Sequence, residues 1–300
     1  MTPGVSNRPQ AAGSTRRHPG FRRLVGPMIR GLQSRTATLP MQFDAAVAIV
    51  TVCRDSLLRA VDSVFAQSFA GRVQVLVGVD VDPGGRSQAL YDQLVARCPA
   101  NRTLTWLNLG YSTSQRHGGV HASHYGGSLR TILSFCAASA RVAYLDDDDW
   151  WAPDHLDAIV RAIDGRKWAY SLCWYADPDR ATALCEDGIE SVGPGLGIYA
   201  ERFGGFVRPS ALMIDKVALP DALPLWSMAP FSGGDGEDRL VFERLRREPA
   251  HGATGRLTVY AALDPRDDNH AVRRAYIESR GVAMPAIAKP DSTRARRAAG

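Results

Sequence analysis

The chain has 300 residues, 45% hydrophobic and 22% charged, a balance that suits a globular protein and excludes disordered and fibrous classes. Its longest apolar runs, Ala45 to Val50 and Val73 to Val79 among them, fall well short of the about 18 residues needed to span a bilayer, so a soluble protein of one large domain or two small ones is expected. The formal charge of +5 is uneven: residues 1–41 hold seven arginines and no acid, and residues 289–300 hold four basic residues against Asp291, which leaves the body between them at −5. Positive charge in Gly/Pro/Ser/Arg-rich ends around an acidic body argues against nucleic acid as a partner.

Residues 1–43 read as a basic, disordered N-terminal arm and residues 281–300 as a basic C-terminal tail. Within the arm, Phe21 to Leu32 interleaves Arg22, Arg23 and Arg30 with Phe21, Leu24, Val25, Met28 and Ile29. Two readings are open there, a solvated arm or a short amphipathic helix in weak contact with an anionic membrane surface. The five cysteines show no CxxC pair or short Cys/His spacing and read as buried thiols in a reducing cytosol. With no apolar h-region and cleavage site at the start, a cytoplasmic location is expected.

Between the tails the apolar pattern alternates. Ala46 to Cys53 is a continuous apolar run that predicts a strand, and Leu57, Leu58, Val61, Val64 and Phe65 recur at helical spacing over 55–67. Val73 to Val79 predicts a second strand covered on both faces, 87–97 a helix, and Thr103 to Leu109 a third strand. Residues 110–127, rich in Gly, Ser and His, read as a long loop; 128–138 is helical in pattern, and Val142 to Leu145 is a short strand. A helix opening at Pro153 follows, then a strand at 168–175, Gly/Pro-rich connections, a helix at 237–247 and a strand at 257–263. Such alternation predicts an α/β fold with a mostly parallel sheet, whose ligands bind at the carboxyl ends of the strands.

Two of those ends carry acids. Asp80 and Asp82 follow the second strand, and Asp146 to Asp149 follow the fourth. Two like charges about 4 Å apart cost about 4 kcal/mol at an effective dielectric near 20, so something must offset four consecutive carboxylates. Mg²⁺ or Mn²⁺ would do so, since these ions take oxygen ligands and use carboxylates together with substrate phosphates; a solvated acidic turn is the plainer reading.

The segment from Tyr144 to Asp154, Tyr-Leu-Asp-Asp-Asp-Asp-Trp-Trp-Ala-Pro-Asp, resembles the DxD region of GT-A glycosyltransferases of the family 2 type. In that register Asp146 and Asp148 are the two DxD carboxylates. The likeness extends upstream to Val47 through Arg54, to a Ser63-x-x-x-Gln67 helix end, and to Val75 through Asp80. It implies a GT-A domain over 44–280, with a nucleotide-binding half at 44–165 and an acceptor half at 166–280. It further implies a nucleotide-sugar donor held by Asp80, Asp82, Arg130, Asp146 and Asp147, and a divalent metal (Mn²⁺ or Mg²⁺) on Asp148 and His270. Because a carboxylate can accept the imide N–H of uracil, a uridine donor is the first expectation. Gly234 through Leu245 is similar to the family's Glu-Asp helix start, which makes Asp238 the expected catalytic base of an inverting hexosyltransferase; acids complementing a helix N-terminus are the plainer reading. His117, His121 and His124 in the long loop could order over donor phosphates or stay solvated. The acceptor, a glycan, a lipid-linked molecule or a small molecule, is not specified by any motif.

Two other classes fit less well. A haloacid-dehalogenase-like phosphatase would use Asp80-Val-Asp82 but needs a lysine before the later acids, and none occurs before Lys167. A non-catalytic nucleotide-sugar binder would need no base.

Overall fold

The computed structural model describes residues 42–284. The arm, with its Phe21 to Leu32 stretch, and residues 285–300 lie outside them. The elements in chain order are β1 (Ala45–Thr51), α1 (Ser56–Phe65), β2 (Val73–Val79), α2 (Ser87–Val95), β3 (Arg102–Asn108), α3 (Gly127–Cys136), β4 (Arg141–Asp146), β5 (Trp150–Trp151) and α4 (His155–Ala162). There follow β6 (Trp168–Asp177), β7 (Thr182–Glu186), β8 (Gly193–Pro194), α5 (Ala200–Phe203), β9 (Gly205–Phe206), β10 (Leu212–Asp215), α6 (Glu237–Leu245), β11 (Gly252–Ala262) and α7 (His270–Ser279).

One mixed sheet runs β3-β2-β1-β4-β10-β6-β11-β5, with β7 also paired to β6. The pairs β1–β2, β1–β4, β2–β3 and β6–β11 are parallel, whereas β10 lies antiparallel to both β4 and β6. Every residue of β2 is buried, as the unbroken apolar run requires. Leu57, Val61 and Val64 of α1 enter the same core as Leu90 and Leu94 of α2, Leu156 and Ile159 of α4, and Val241, Phe242 and Leu245 of α6. Each such side chain contributes about 1.5–3 kcal/mol on full burial, and packing of this kind holds helices of eight to ten residues that would not persist alone.

Several elements differ from the sequence expectation. The four-residue β10 is hidden by its length, and β7 by an exposed pattern that buries only Cys185. Strand β11 begins at Gly252, five residues before its apolar run, and shifts register between Ala253 and Val259. Residues 270–279 form α7, to which the sequence assigned no element, and only Ile277 is buried, too sparse an apolar stripe to read as a helix. Val282 and Met284 pack with Ile277, Tyr175 and Leu263 in a second small cluster, so the packed body continues past 280. The thiols are not uniformly buried: Cys53, Cys173 and Cys185 are, Cys98 is half-buried and Cys136 is exposed. Among the described residues no helix is long and apolar enough to cross a membrane.

The register sets the ends of the strands level. Val50 lies opposite Asp146, and Thr51 opposite Val79, so the residues after β1, β2 and β4 emerge along one edge. Helix α3 is seated there by a close approach: a Cβ on Gly127 would lie 1.9 Å from the carbonyl oxygen of Trp226. Gly127→Ala should therefore force α3 off the Pro220–Ser227 segment and cost about 1–3 kcal/mol. Differential scanning calorimetry should show the midpoint lowered by about 2–4 °C per kcal/mol, and an unchanged midpoint would contradict this seating.

Candidate active site

The four aspartates after β4 do not share one direction. The side chains of Asp146 and Asp148 are 30% and 34% exposed, while Asp147 and Asp149 are buried. Asp147 accepts a hydrogen bond from Thr51 Oγ1 at 2.6 Å and pairs with Arg54 at 3.4 Å. Asp149 accepts from Ser210 Oγ at 2.6 Å and from the Ala262 amide at 2.9 Å. Burial pushes Asp147 up to about 6 and Asp149 up to about 7, the latter with help from the Asp148 charge.

The two exposed carboxylates meet arginines. Asp148 pairs with Arg54 at 2.6 Å, and Asp146 pairs with Arg130. Arg130 is buried, lies over the Trp226 ring, and also reaches Glu237 at 3.6 Å. The repulsion within the run is thus already offset by guanidinium and hydroxyl groups, where the sequence offered a divalent metal or a solvated acidic turn. The pair Asp146 and Asp148 has the right chemistry for a divalent metal, since Mg²⁺ and Mn²⁺ commonly use one or two carboxylates plus phosphates. Among the described residues no group of three or more His, Cys, Asp or Glu forms a ready-made metal cage, so Asp148 and His270 are not gathered into one. His270 opens α7, with both ring nitrogens buried and without a hydrogen-bond partner.

Asp80 is buried at the end of β2 and accepts from Ser112 Oγ at 2.7 Å, so the long loop orients it. Asp82 accepts from the amides of Arg86 and Ser87, both at 2.8 Å, and its carboxylate therefore caps the start of α2. The long loop also docks on the turn before α6: the His124 amide donates to the Gly234 carbonyl at 2.7 Å, and a Cβ on Gly234 would strike the His124 ring. His121 Nδ1 accepts from the Ser123 amide at 3.2 Å, and His117 is exposed.

At the start of α6, Glu237 is buried and its pKa is pushed up to about 7 by desolvation, against the pull of Arg130. Asp238 keeps 28% of its side chain exposed, and desolvation raises its pKa as well. Its Oδ1 accepts from the Arg239 amide at 2.7 Å. Arg130 therefore ties the acidic run after β4 to the helix that carries Asp238.

Supporting residues complete the arrangement. Ser63 Oγ accepts from the Trp151 amide at 3.1 Å, and Gln67 bonds to Ala152 and Leu156, so the Ser-x-x-x-Gln helix end clamps the segment leaving the aspartates. Thr51, Arg54, Ser112 and Ser210 were not singled out by sequence. Their only signal is position: Arg54 and Thr51 close the first strand, whereas Ser210 reaches Asp149 from 61 residues away.

No family model matches this chain, and no curated protein does. Solved structures of similar fold include S. aureus TarS 1–349, with a TM-score of 0.52 and 13% identity over 73% of this chain and 60% of that one. A longer S. aureus TarS gives 0.51 and 14% over 81% and 40%, and TarS 1–349 in complex with UDP-GlcNAc gives 0.51 and 11% over 81% and 68%. The chain thus spans about 60% and 40% of the first two. The likeness is one of fold, a mixed α/β GT-A architecture with a mostly parallel central sheet.

The double pairing of Arg130 makes a stability prediction. Arg130→Gln would leave Glu237 buried and Asp146 half-buried without their cation, and removing one partner of a buried pair costs about 3–5 kcal/mol. Urea unfolding should place the loss near the lower end of that range, because Asp146 is partly solvated; an unchanged midpoint would show that the pairing contributes nothing.

Proposed function

We propose that the protein transfers a sugar from a nucleotide-diphosphate donor, a uridine donor first, to an acceptor hydroxyl, with inversion at the anomeric carbon. One observation carries this reading. A single buried guanidinium, Arg130, links the DxD carboxylate Asp146 to the Glu237–Asp238 helix start, so the donor-side acids and the candidate base share one edge of the sheet. A GT-A fold in common with TarS in complex with UDP-GlcNAc supports the nucleotide-sugar class.

In this reading Asp80, oriented by Ser112, receives the base, and Asp146 and Asp148 face the diphosphate. A divalent metal bound there with the donor, Mn²⁺ or Mg²⁺, supplies positive charge to the leaving diphosphate. Asp147 acts from behind, holding Arg54 and Thr51 in place. Asp238 takes the acceptor hydroxyl's proton as that oxygen bonds to the anomeric carbon and the bond from that carbon to the diphosphate oxygen breaks, its electron pair leaving with the diphosphate. A raised pKa suits this task, because a carboxylate that holds a proton more tightly is the stronger base, provided the pH lies above it. His270 faces no partner among the described residues and could join the donor phosphates.

Asp238→Asn tests the assignment. Transfer should fall by at least about 10²-fold while donor affinity, measured by calorimetry, stays near that of the wild type, because the base acts on the acceptor and not on the nucleotide. Near-normal transfer in the variant would overturn it.

A further inference from the structure

A cavity of about 410 Å³ opens beside α6, lined by Arg202, Phe203, Phe231, Arg239, Glu243 and Arg246 among others. Arg239, Glu243 and Arg246 fall at spacings of four and three, so they share one face of α6. Arg202 comes from α5, on the other side of the cavity. The acid among these residues is already engaged, since Glu243 pairs with Arg247 at 2.6 Å. Among the described residues Arg202 and Arg246 make no ion pair: Arg202 lies over the Phe203 ring at 4.8 Å, and Arg246 rests against Gly204. Arg239 is held over the rings of Phe206 at 3.5 Å and Tyr199 at 4.0 Å, which fixes its guanidinium, and its Nη1 is buried with no acceptor. Arg239 Nε also pairs with Asp238 Oδ1 at 3.9 Å. Two cations without an ion pair, beside a third that carries an orphaned buried N–H, form a site suited to an anion.

We propose that this cavity binds a phosphate group carried by the acceptor. The inference rests on the proposed function and deepens it: Arg239 directly follows Asp238, so a phosphate held by Arg239, Arg202 and Arg246 places the rest of the acceptor next to the base. Guanidinium forks match phosphate oxygens in geometry and charge. Phe203 and Phe231 supply apolar walls for the carbon skeleton of the acceptor. A neutral sugar acceptor would leave the guanidinium groups of Arg202 and Arg246 without a charge partner.

The test uses the full chain saturated with UDP, which occupies the donor side, and titrates glucose 6-phosphate, glucose and inorganic phosphate by calorimetry. Glucose 6-phosphate should bind at least ten-fold more tightly than glucose and more tightly than inorganic phosphate, with affinity falling as salt rises. The double variant Arg202→Gln/Arg246→Gln should weaken glucose 6-phosphate binding by ten-fold or more while UDP affinity is unchanged, which also reports that the variant is folded. Glu243→Gln, which removes the acid, should tighten it. Equal binding of glucose and glucose 6-phosphate, or equal binding by wild type and the double variant, would overturn the proposal. Failure of the wild type to bind UDP would instead strike the glycosyltransferase reading, and the glucose 6-phosphate titration would still decide what the cavity holds.

Discussion

Four adjacent carboxylates at the end of a buried strand can coexist only if they are turned apart and individually balanced, and much of the site follows from how that is done. Asp147 and Asp149 turn inward to Thr51, Ser210 and the Ala262 amide, and Asp146 and Asp148 turn outward to Arg130 and Arg54. The partners come from four parts of the chain: Thr51 and Arg54 from the end of β1, Arg130 from α3, Ser210 from the segment before β10, and Ala262 from the end of β11. The electrostatic problem posed by one short run therefore fixes the relative positions of elements far apart in sequence. It also leaves two carboxylates held within the fold and two partly open to solvent.

Arg130 extends this coupling to the start of α6. Because its guanidinium is shared between Asp146 and Glu237, the helix that bears Asp238 is anchored to the same edge as the acidic run. The long loop makes a second connection, reaching Asp80 through Ser112 and the turn before α6 through His124. The strand ends that carry the acids and the start of α6 are thus joined twice, once by the Arg130 charge and once through the long loop.

The parallel half of the fold was legible because β1, β2 and β4 are buried on both faces and read as unbroken apolar runs, and because α1 keeps its apolar residues on one side. The short antiparallel strands β10 and β5, and the early part of β11, were not. β10 is four residues long, β5 is two tryptophans, and the early part of β11, parallel to β6, contains Gly252 and Gly255, so each depends on a neighbour rather than on its own pattern. The same division holds in the site. Asp80, Asp146, Asp148 and Asp238 were singled out in sequence by their places at strand and helix ends, and Arg130 through the resemblance alone. Ser112, Arg54 and Ser210 are ordinary residues in sequence, and only long-range contact brings them to the acids. Asp147 and Asp148 part in a turn after β4, where the Asp149 amide donates to the Asp146 carbonyl at 3.2 Å, and the capping role of Asp82 likewise depends on the turn it sits in.

Sugar transfer at the outward pair of aspartates is the centre of the proposed function. The most direct measurement is release of nucleotide from a panel of nucleotide-sugars by the wild-type protein and by Asp148→Asn, in Mn²⁺ and in EDTA, with the product's anomeric configuration read by NMR. Metal-dependent release from at least one donor, its loss in the variant, and an inverted product are expected. A donor that binds and remains intact, full activity in EDTA, or a product that keeps the donor's configuration would contradict it.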